Sequence, residues 1–206
     1  MYSGNIIVTQ RSDKILSRSE CRDGLDMRFC EWILESGFLP FPIPNSLVEP
    51  QDIHNWIDCI NPCCIILSGG GDIFHADNRY NLENVLLDHA ELQKIAVLGI
   101  CRGMQVLARR AGVGLKAMQD HVNCLHPLIT CDPGELLPVE VNSYHEFCID
   151  AVPPNFHMIA MSDNNCIEGI KHNSLPWEGW MWHPERNISF NKIDAIRLRN
   201  LIEGAS

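Results

Sequence analysis

Cys101 lies in the stretch Ala96-Val97-Leu98-Gly99-Ile100-Cys101-Arg102-Gly103-Met104-Gln105, where an apolar run gives way to a helix-like segment. The pattern predicts a strand, a sharp turn and a helix N-terminus in immediate succession. Gly99 and Gly103 flank the turn, as close strand-to-helix packing requires. A helix N-terminus stabilises a thiolate through its free N–H groups and dipole, so a nucleophilic thiol would be activated at this apex. The same donors can hold the oxyanion formed when a carbonyl is attacked. The backbone N–H of Arg102, with one from Gly70 or Gly71, would supply them. A cysteine nucleophile also needs a base, and a carboxylate that orients the imidazole completes the set. His183-Pro184-Glu185 offers both groups within one turn. Taken alone, Cys101 can also be read as a small core thiol; His183 and Glu185 weigh against that reading.

The elements that must position these residues follow from periodicity and breakers. Asn5–Thr9 reads as a strand and 10–22 as a polar loop. A helix is predicted over Leu25–Glu35 with Met27, Cys30, Ile33 and Leu34 on one face. Phe38–Pro44 is extended because proline excludes helix there. Asn45 or Ser46 would cap a helix reaching Asp58. Cys63–Leu67 is a buried strand ending in Ser68-Gly69-Gly70-Gly71-Asp72. After a loop to Tyr80, Leu82–Leu92 is a helix with Val85, Leu86, Ala90 and Leu92 inward. The central strand, Cys101 and a helix to Ala111 follow. Residues 112–132 read as irregular with short strands. Leu136–Val141, Met158–Ser162, Cys166–His172 and Gly179–Trp182 are strands, and Ile193–Ile202 is the closing helix. This alternation predicts a single α/β domain over residues 1–206, with a largely parallel sheet. Ligands in such folds sit beyond the carboxyl ends of the strands. The glycine turn, Cys101 and His183 all fall at such ends.

The chain has 206 residues and a formal net charge of −10, which argues against a nucleic-acid groove. No apolar run approaches the ~20 residues that span a bilayer, and the start lacks the pattern of a signal peptide. Ten cysteines without such a signal suggest free thiols in a reducing cytoplasm. Cys59, Cys63 and Cys64 read as core thiols. His121, Cys124, His126 and Cys131 cluster in sequence but lack the paired C-x₂-C spacing of a strong zinc motif, so no metal is assigned to them.

Together, Gly99-Ile-Cys101-Arg-Gly103-Met-Gln105, Ser68-Gly-Gly-Gly-Asp72 and Trp182-His183-Pro184-Glu185 resemble the class I glutamine amidotransferase-like superfamily. The closer resemblance is to its γ-glutamyl hydrolase branch, peptidase family C26, typified by γ-glutamyl-γ-aminobutyrate hydrolases. Gly37–Pro44, Gln119-Asp120 and Val141-Asn142-Ser143-Tyr144-His145 extend the match along nearly the whole chain. The resemblance implies a flavodoxin-like fold with helices on both faces of the sheet, a Cys101–His183–Glu185 triad, and a thioester that water resolves to glutamate. It implies no cofactor. Gln105 would hold the glutamyl group, and Asn142, Ser143, Tyr144 and His145 would line the substrate pocket. Three departures concern the leaving-group side: Glu146 after His145, Gly112-Val113-Gly114 after the elbow helix, and no proline between Asp72 and Tyr80.

Three functions are in play: a stand-alone hydrolase, possible also as a homodimer; a glutaminase subunit feeding ammonia to a synthase; and a silent binding module, which an intact triad argues against. Length and motif set are also similar to the hydrolases of capsular phosphoramidate synthesis, which act on a cytidine-diphosphate-linked glutamine phosphoramide. Such a small-molecule substrate needs a local cation for its diphosphate. Arg79, in a loop with His75, Asn78 and Tyr80, is one candidate and Arg11 another.

Overall fold

Five strands lie parallel in one eight-stranded sheet of the computed structural model, which describes residues 2–71, 73 and 77–205. In chain order the elements are β1 (Asn5–Val8), β2 (Arg11–Ile15), β3 (Glu20–Gly24), α1 (Met27–Glu35), β4 (Leu39–Pro42), α2 (Pro50–Ile60) and β5 (Cys64–Leu67). Next come α3 (Asn78–Gln93), β6 (Ala96–Ile100), α4 (Arg102–Arg110), β7 (Leu115–Ala117), β8 (Val122–Pro127) and β9 (Ile129–Thr130). The rest comprises β10 (Glu140–Tyr144), β11 (Phe147–Ile149), β12 (Phe156–Met161), β13 (Ile167–His172), β14 (Trp177–Trp180) and α5 (Lys192–Glu203). The large sheet runs β4-β1-β5-β6-β14-β13-β12-β9. It is parallel from β4 to β14 and antiparallel beyond.

Both faces of the parallel half are covered, which is why its strands are apolar at successive positions. Ile6, Val8, Ile66, Leu98 and Ile100 pack on one face with Phe29, Trp32 and Ile33 of α1 and Leu198 and Leu201 of α5. Ile7, Ile65, Leu67 and Val97 pack on the other with Ile53 and Ile57 of α2 and Leu82, Leu86 and Leu87 of α3. The register sets Leu67 beside Gly99, and Gly99 beside Gly179. The carboxyl ends of β5, β6 and β14 therefore lie side by side.

Several local expectations change. Residues 10–22 are not a loop: β2 and β3 form a hairpin with no buried side chain, so no apolar alternation marks it. Helix α1 starts at Met27, capped by the Asp26 carboxylate on the Arg28 N–H. Met27 and Leu34 are exposed, because Trp32 packs edge-on against Phe29 and Trp180 and so takes the interior face. Asn45 does not cap α2, whose first turn begins at Pro50; its side chain is held by the Gln10 carbonyl and the Asp23 carboxylate. Leu92 is exposed, as is Cys59. The expected strand at 136–141 is displaced to Glu140–Tyr144, and the last strand stops at Trp180.

Candidate active site

Cys101 closes β6 and caps α4 with φ +50° and ψ −102°, a conformation that a non-glycine residue adopts only under constraint. Its N–H donates to the Trp180 carbonyl at 2.7 Å, tying the elbow to β14. A Cβ on Gly103 would overlap the Leu67 carbonyl, and one on Gly99 would lie 2.6 Å from the Gly103 carbonyl carbon. Both glycines are thus required by close backbone packing. Gly70 and Gly71 both have positive φ and line the cavity with Cys101 and Arg102. Four buried side chains brace this turn from behind. The Glu83 carboxylate accepts from Arg79 at 2.8 Å, from Arg102 at 2.8 and 2.7 Å, and from Thr9 at 3.0 Å. Arg79 in turn donates to the carbonyls of Gly70 and Ser68, each at 2.6 Å.

His183 is buried beyond the end of β14, with Nδ1 2.6 Å from a Glu185 carboxylate oxygen. The Cys101 sulfur is its other polar partner. Burial pulls the imidazole pKa down, but the Glu185 and Cys101 charges outweigh it and raise the value to about 9. The residue is braced by its neighbours. Asn142 binds its main chain, the Tyr144 ring stands edge-on at 5.7 Å, and a Cβ on Gly69 would come within 2.6 Å of Cε1. Below it, Trp182 Nε1 donates to Asp194, whose burial lifts its carboxyl pKa to about 7.

A cavity of about 470 Å³, within the usual range of small-molecule sites, opens over Cys101 and His183. Gln105, Tyr144, His145, Glu146, Phe147 and Arg186 line it as well. Gln105 donates to the Phe147 carbonyl at 2.9 Å. A thiol beside an imidazole, the imidazole on a carboxylate, and backbone donors at a helix N-terminus can together carry nucleophilic attack on an amide carbonyl.

Other expected contacts are not brought to the cavity. Arg79 is absent from its wall, because all its donors serve Glu83 and the glycine turn. Asn142 is spent on the His183 main chain and Asn187. Ser143 is fully buried against His121. His145 reaches the wall, but its Nε2 faces His121 and Glu168. Of the four residues weighed for zinc, Cys124 turns to the Asp120 carbonyl and Cys131 to the Ile129 carbonyl, whereas His121 and His126 come together. Arg11 is exposed beside Gly70 and pairs with Asp13. His75 lies outside the described residues. The residue that sequence reasoning missed is Arg186. It follows the His-Pro-Glu motif directly, lies 4.4 Å over the Tyr144 ring, and is one-third exposed in the cavity wall.

The model of the glutamine amidotransferase class-I family matches residues 39–199. The chain belongs to this family. Its members are hydrolases of glutamine amide bonds. A gamma-glutamyl-CDP-amidate hydrolase of Campylobacter jejuni is 29% identical over 139 residues, covering 65% of this chain and 67% of the relative. A subunit of the glutamine-hydrolysing GMP synthase of Pyrococcus abyssi is 33% identical over 147 residues, covering 68% and 76%. The fold recurs in a protein from Thermoplasma acidophilum described as a GMP synthase subunit, with a TM-score of 0.70 at 19% identity over 100% and 96% of the two chains. No helix among the described residues is long and apolar enough to cross a membrane.

Proposed function

We propose that this class-I amidotransferase is a cysteine hydrolase of γ-glutamyl amides, working as a single domain in the cytoplasm. The observation that carries the reading is Cys101 at the elbow against an imidazole that Glu185 holds at 2.6 Å. Glu185 fixes His183 Nδ1, which leaves Nε2 for the sulfur. The thiolate attacks the γ-carbonyl carbon, and the N–H groups of Arg102 and of Gly70 or Gly71 receive the oxyanion. The imidazolium protonates the amine, the C–N bond breaks, and a glutamyl thioester remains on Cys101. His183 then takes a proton from water. The hydroxide displaces the sulfur, glutamate leaves, and the thiol returns. Gln105 holds the glutamyl end.

The leaving group occupies the far side of the cavity. The gamma-glutamyl-CDP-amidate hydrolase among the relatives makes a nucleotide-linked phosphoramide the first substrate to consider, with Arg186 as its phosphate partner. A second reading, a glutaminase subunit that passes ammonia to a synthase, draws on the GMP synthase relatives. A γ-glutamyl-γ-aminobutyrate substrate is the third.

Glutamate release by the purified chain alone separates them. A stand-alone nucleotide hydrolase turns over γ-glutamyl-CDP-amidate with kcat/KM at least about tenfold above glutamine and γ-glutamyl-γ-aminobutyrate, a difference of about 1.4 kcal/mol. Idleness on all three until a synthase is added would instead establish the glutaminase reading.

A further inference from the structure

We propose that His121, His126, His145 and Glu168 form a binding site for a first-row divalent cation, zinc above all, behind the wall of the catalytic cavity. The four side chains are buried. Three imidazole nitrogens converge on one carboxylate oxygen: His121 Nδ1 at 3.5 Å, His145 Nε2 at 3.5 Å and His126 Nε2 at 3.7 Å from Glu168 Oε1. His121 Nδ1 and His145 Nε2 are 3.2 Å apart. These contacts to the carboxylate are too long for hydrogen bonds between nitrogen and oxygen. The 3.2–3.5 Å spacings among His121, His145 and Glu168 come close to the edges of a tetrahedron instead, since zinc–nitrogen and zinc–oxygen bonds of about 2.0–2.1 Å put neighbouring ligand atoms about 3.3–3.4 Å apart, and His126 stands slightly farther out at 3.7 Å.

The protonation pattern points the same way. His126 Nδ1 is 3.0 Å from the Pro127 carbonyl, which can only accept, so that nitrogen carries the proton. The Nε2 lone pair is then aimed at a carboxylate and has no hydrogen-bond partner. His121 repeats the arrangement: Nε2 donates to Asn164 Oδ1 at 3.0 Å, and that oxygen also accepts from Ser162. The bare Nδ1 of His121 gains no proton from Ser143, whose hydroxyl donates to the His121 carbonyl at 2.7 Å. Both Glu168 oxygens are buried without a hydrogen bond. Lone pairs facing an unpaired buried carboxylate are costly, and a cation between them removes the cost. The carbonyl behind His126 and the amide oxygen behind His121 are the outer partners that metal-bound imidazoles use to fix their tautomer. The Cys166 sulfur belongs to the same group, within 4.8 Å of the His121, His145 and Glu168 donors.

Imidazole and carboxylate donors at these spacings suit zinc, and cobalt(II) as its spectroscopic substitute. The ion would join β8, the segment after β10, and β13. His145 is flanked by Tyr144 and Glu146, so the same ion would anchor the cavity wall.

The test is elemental analysis of the purified full-length chain after dialysis against metal-free buffer, with Glu168→Gln and His126→Ala alongside. The expected result is about one zinc per chain in the parent and less than about a tenth of that in either variant, because each removes a ligand. Chelation should lower the melting temperature of the parent, and zinc should restore it. Since a variant can fail to fold, cobalt(II) is also titrated into the demetallated parent, where saturable visible bands of a tetrahedral site are expected at one equivalent. A parent that retains no ion, shows no such bands and melts at the same temperature with or without zinc would overturn the proposal.

Discussion

Asn142 holds the main chain of His183 from both sides. Its side-chain amide donates to the His183 carbonyl at 2.8 Å, and its carbonyl oxygen accepts the His183 N–H at 2.9 Å. A residue expected to touch substrate is therefore the clamp on the proposed base. Asn142→Ala leaves the buried His183 N–H unsatisfied, at a cost of about 1–3 kcal/mol, and leaves the His183 carbonyl with the Arg186 N–H alone. A misplacement of the imidazole near 1 Å costs about 10²-fold in rate. A fall in kcat of that order with little change in KM is expected, together with a lower melting temperature. A variant with normal kcat would show that the clamp does not position the ring.

The loop at Gly69 tests the same geometry from the other side. The only space for a Cβ there is taken by the buried His183 ring. Gly69→Ala should leave the protein folded, since circular dichroism reads the sheet and helices, while kcat drops. Gly103→Ala should behave differently. Its Cβ meets Leu67 backbone, so the cost falls on stability, about 3 kcal/mol at the upper end for overpacking. Chemical denaturation of the two variants separates these effects.

Raising pH should expose the His183–Glu185 pair. The native imidazole pKa, about 9, stands above its ordinary 6.5, so the folded chain holds the proton to higher pH than the unfolded chain. The associated stability is complete below pH 6.5 and is lost as pH rises through about 9. Glu185→Gln removes the largest raising charge and should flatten that loss in melts across the window. The same proton serves the departing amine, so kcat/KM should fall on the basic side of about 9 in the parent. An identical pH-stability curve in Glu185→Gln would detach Glu185 from His183.

Asp194 gives a second pH signature of opposite chemical type. Burial raises its carboxyl pKa from 3.8 to about 7, so the native state favours the proton. Stability should fall as pH rises from 3.8 to 7, by a few kcal/mol at most. Asp194→Asn keeps an acceptor for Trp182 and has no charge to bury. It should melt higher than the parent at pH 8 and lose this slope. Equal melting of both proteins at pH 8 would count against the buried charge.

The leaving-group side rests on Arg186. Arg186→Ala should cut kcat/KM for a phosphate-bearing γ-glutamyl substrate by about tenfold or more, the scale of a lost charged hydrogen bond. Glutamine hydrolysis should change little. Equal losses on both substrates would remove Arg186 from phosphate recognition.

The strand–turn–helix at Cys101 was legible in the sequence because apolar run, glycine spacing and helix start agree locally, and the parallel sheet followed from alternating strands and helices. The β2–β3 hairpin was not, since neither face is buried and no apolar period marks it. Pairings across long separations were equally hidden. Glu83 gathers Thr9, Arg79 and Arg102 only once β1, α3 and α4 are packed together. The one local trace was the four-residue spacing of Arg79 and Glu83 on a helix. The same holds for Glu168, which joins three histidines from 23 to 47 residues earlier in the chain. Arg186 was visible beside the His-Pro-Glu motif, but only the stacking on Tyr144 turns it toward the cavity.

The most direct test of the account is mass spectrometry of enzyme quenched in acid during turnover of a γ-glutamyl amide, followed by peptide mapping. A glutamyl adduct is expected on the peptide carrying Cys101, none on the other nine cysteines, and none in Cys101→Ala, which should also release no glutamate. Sustained glutamate release by Cys101→Ala, or a glutamyl adduct confined to a different cysteine, would contradict it.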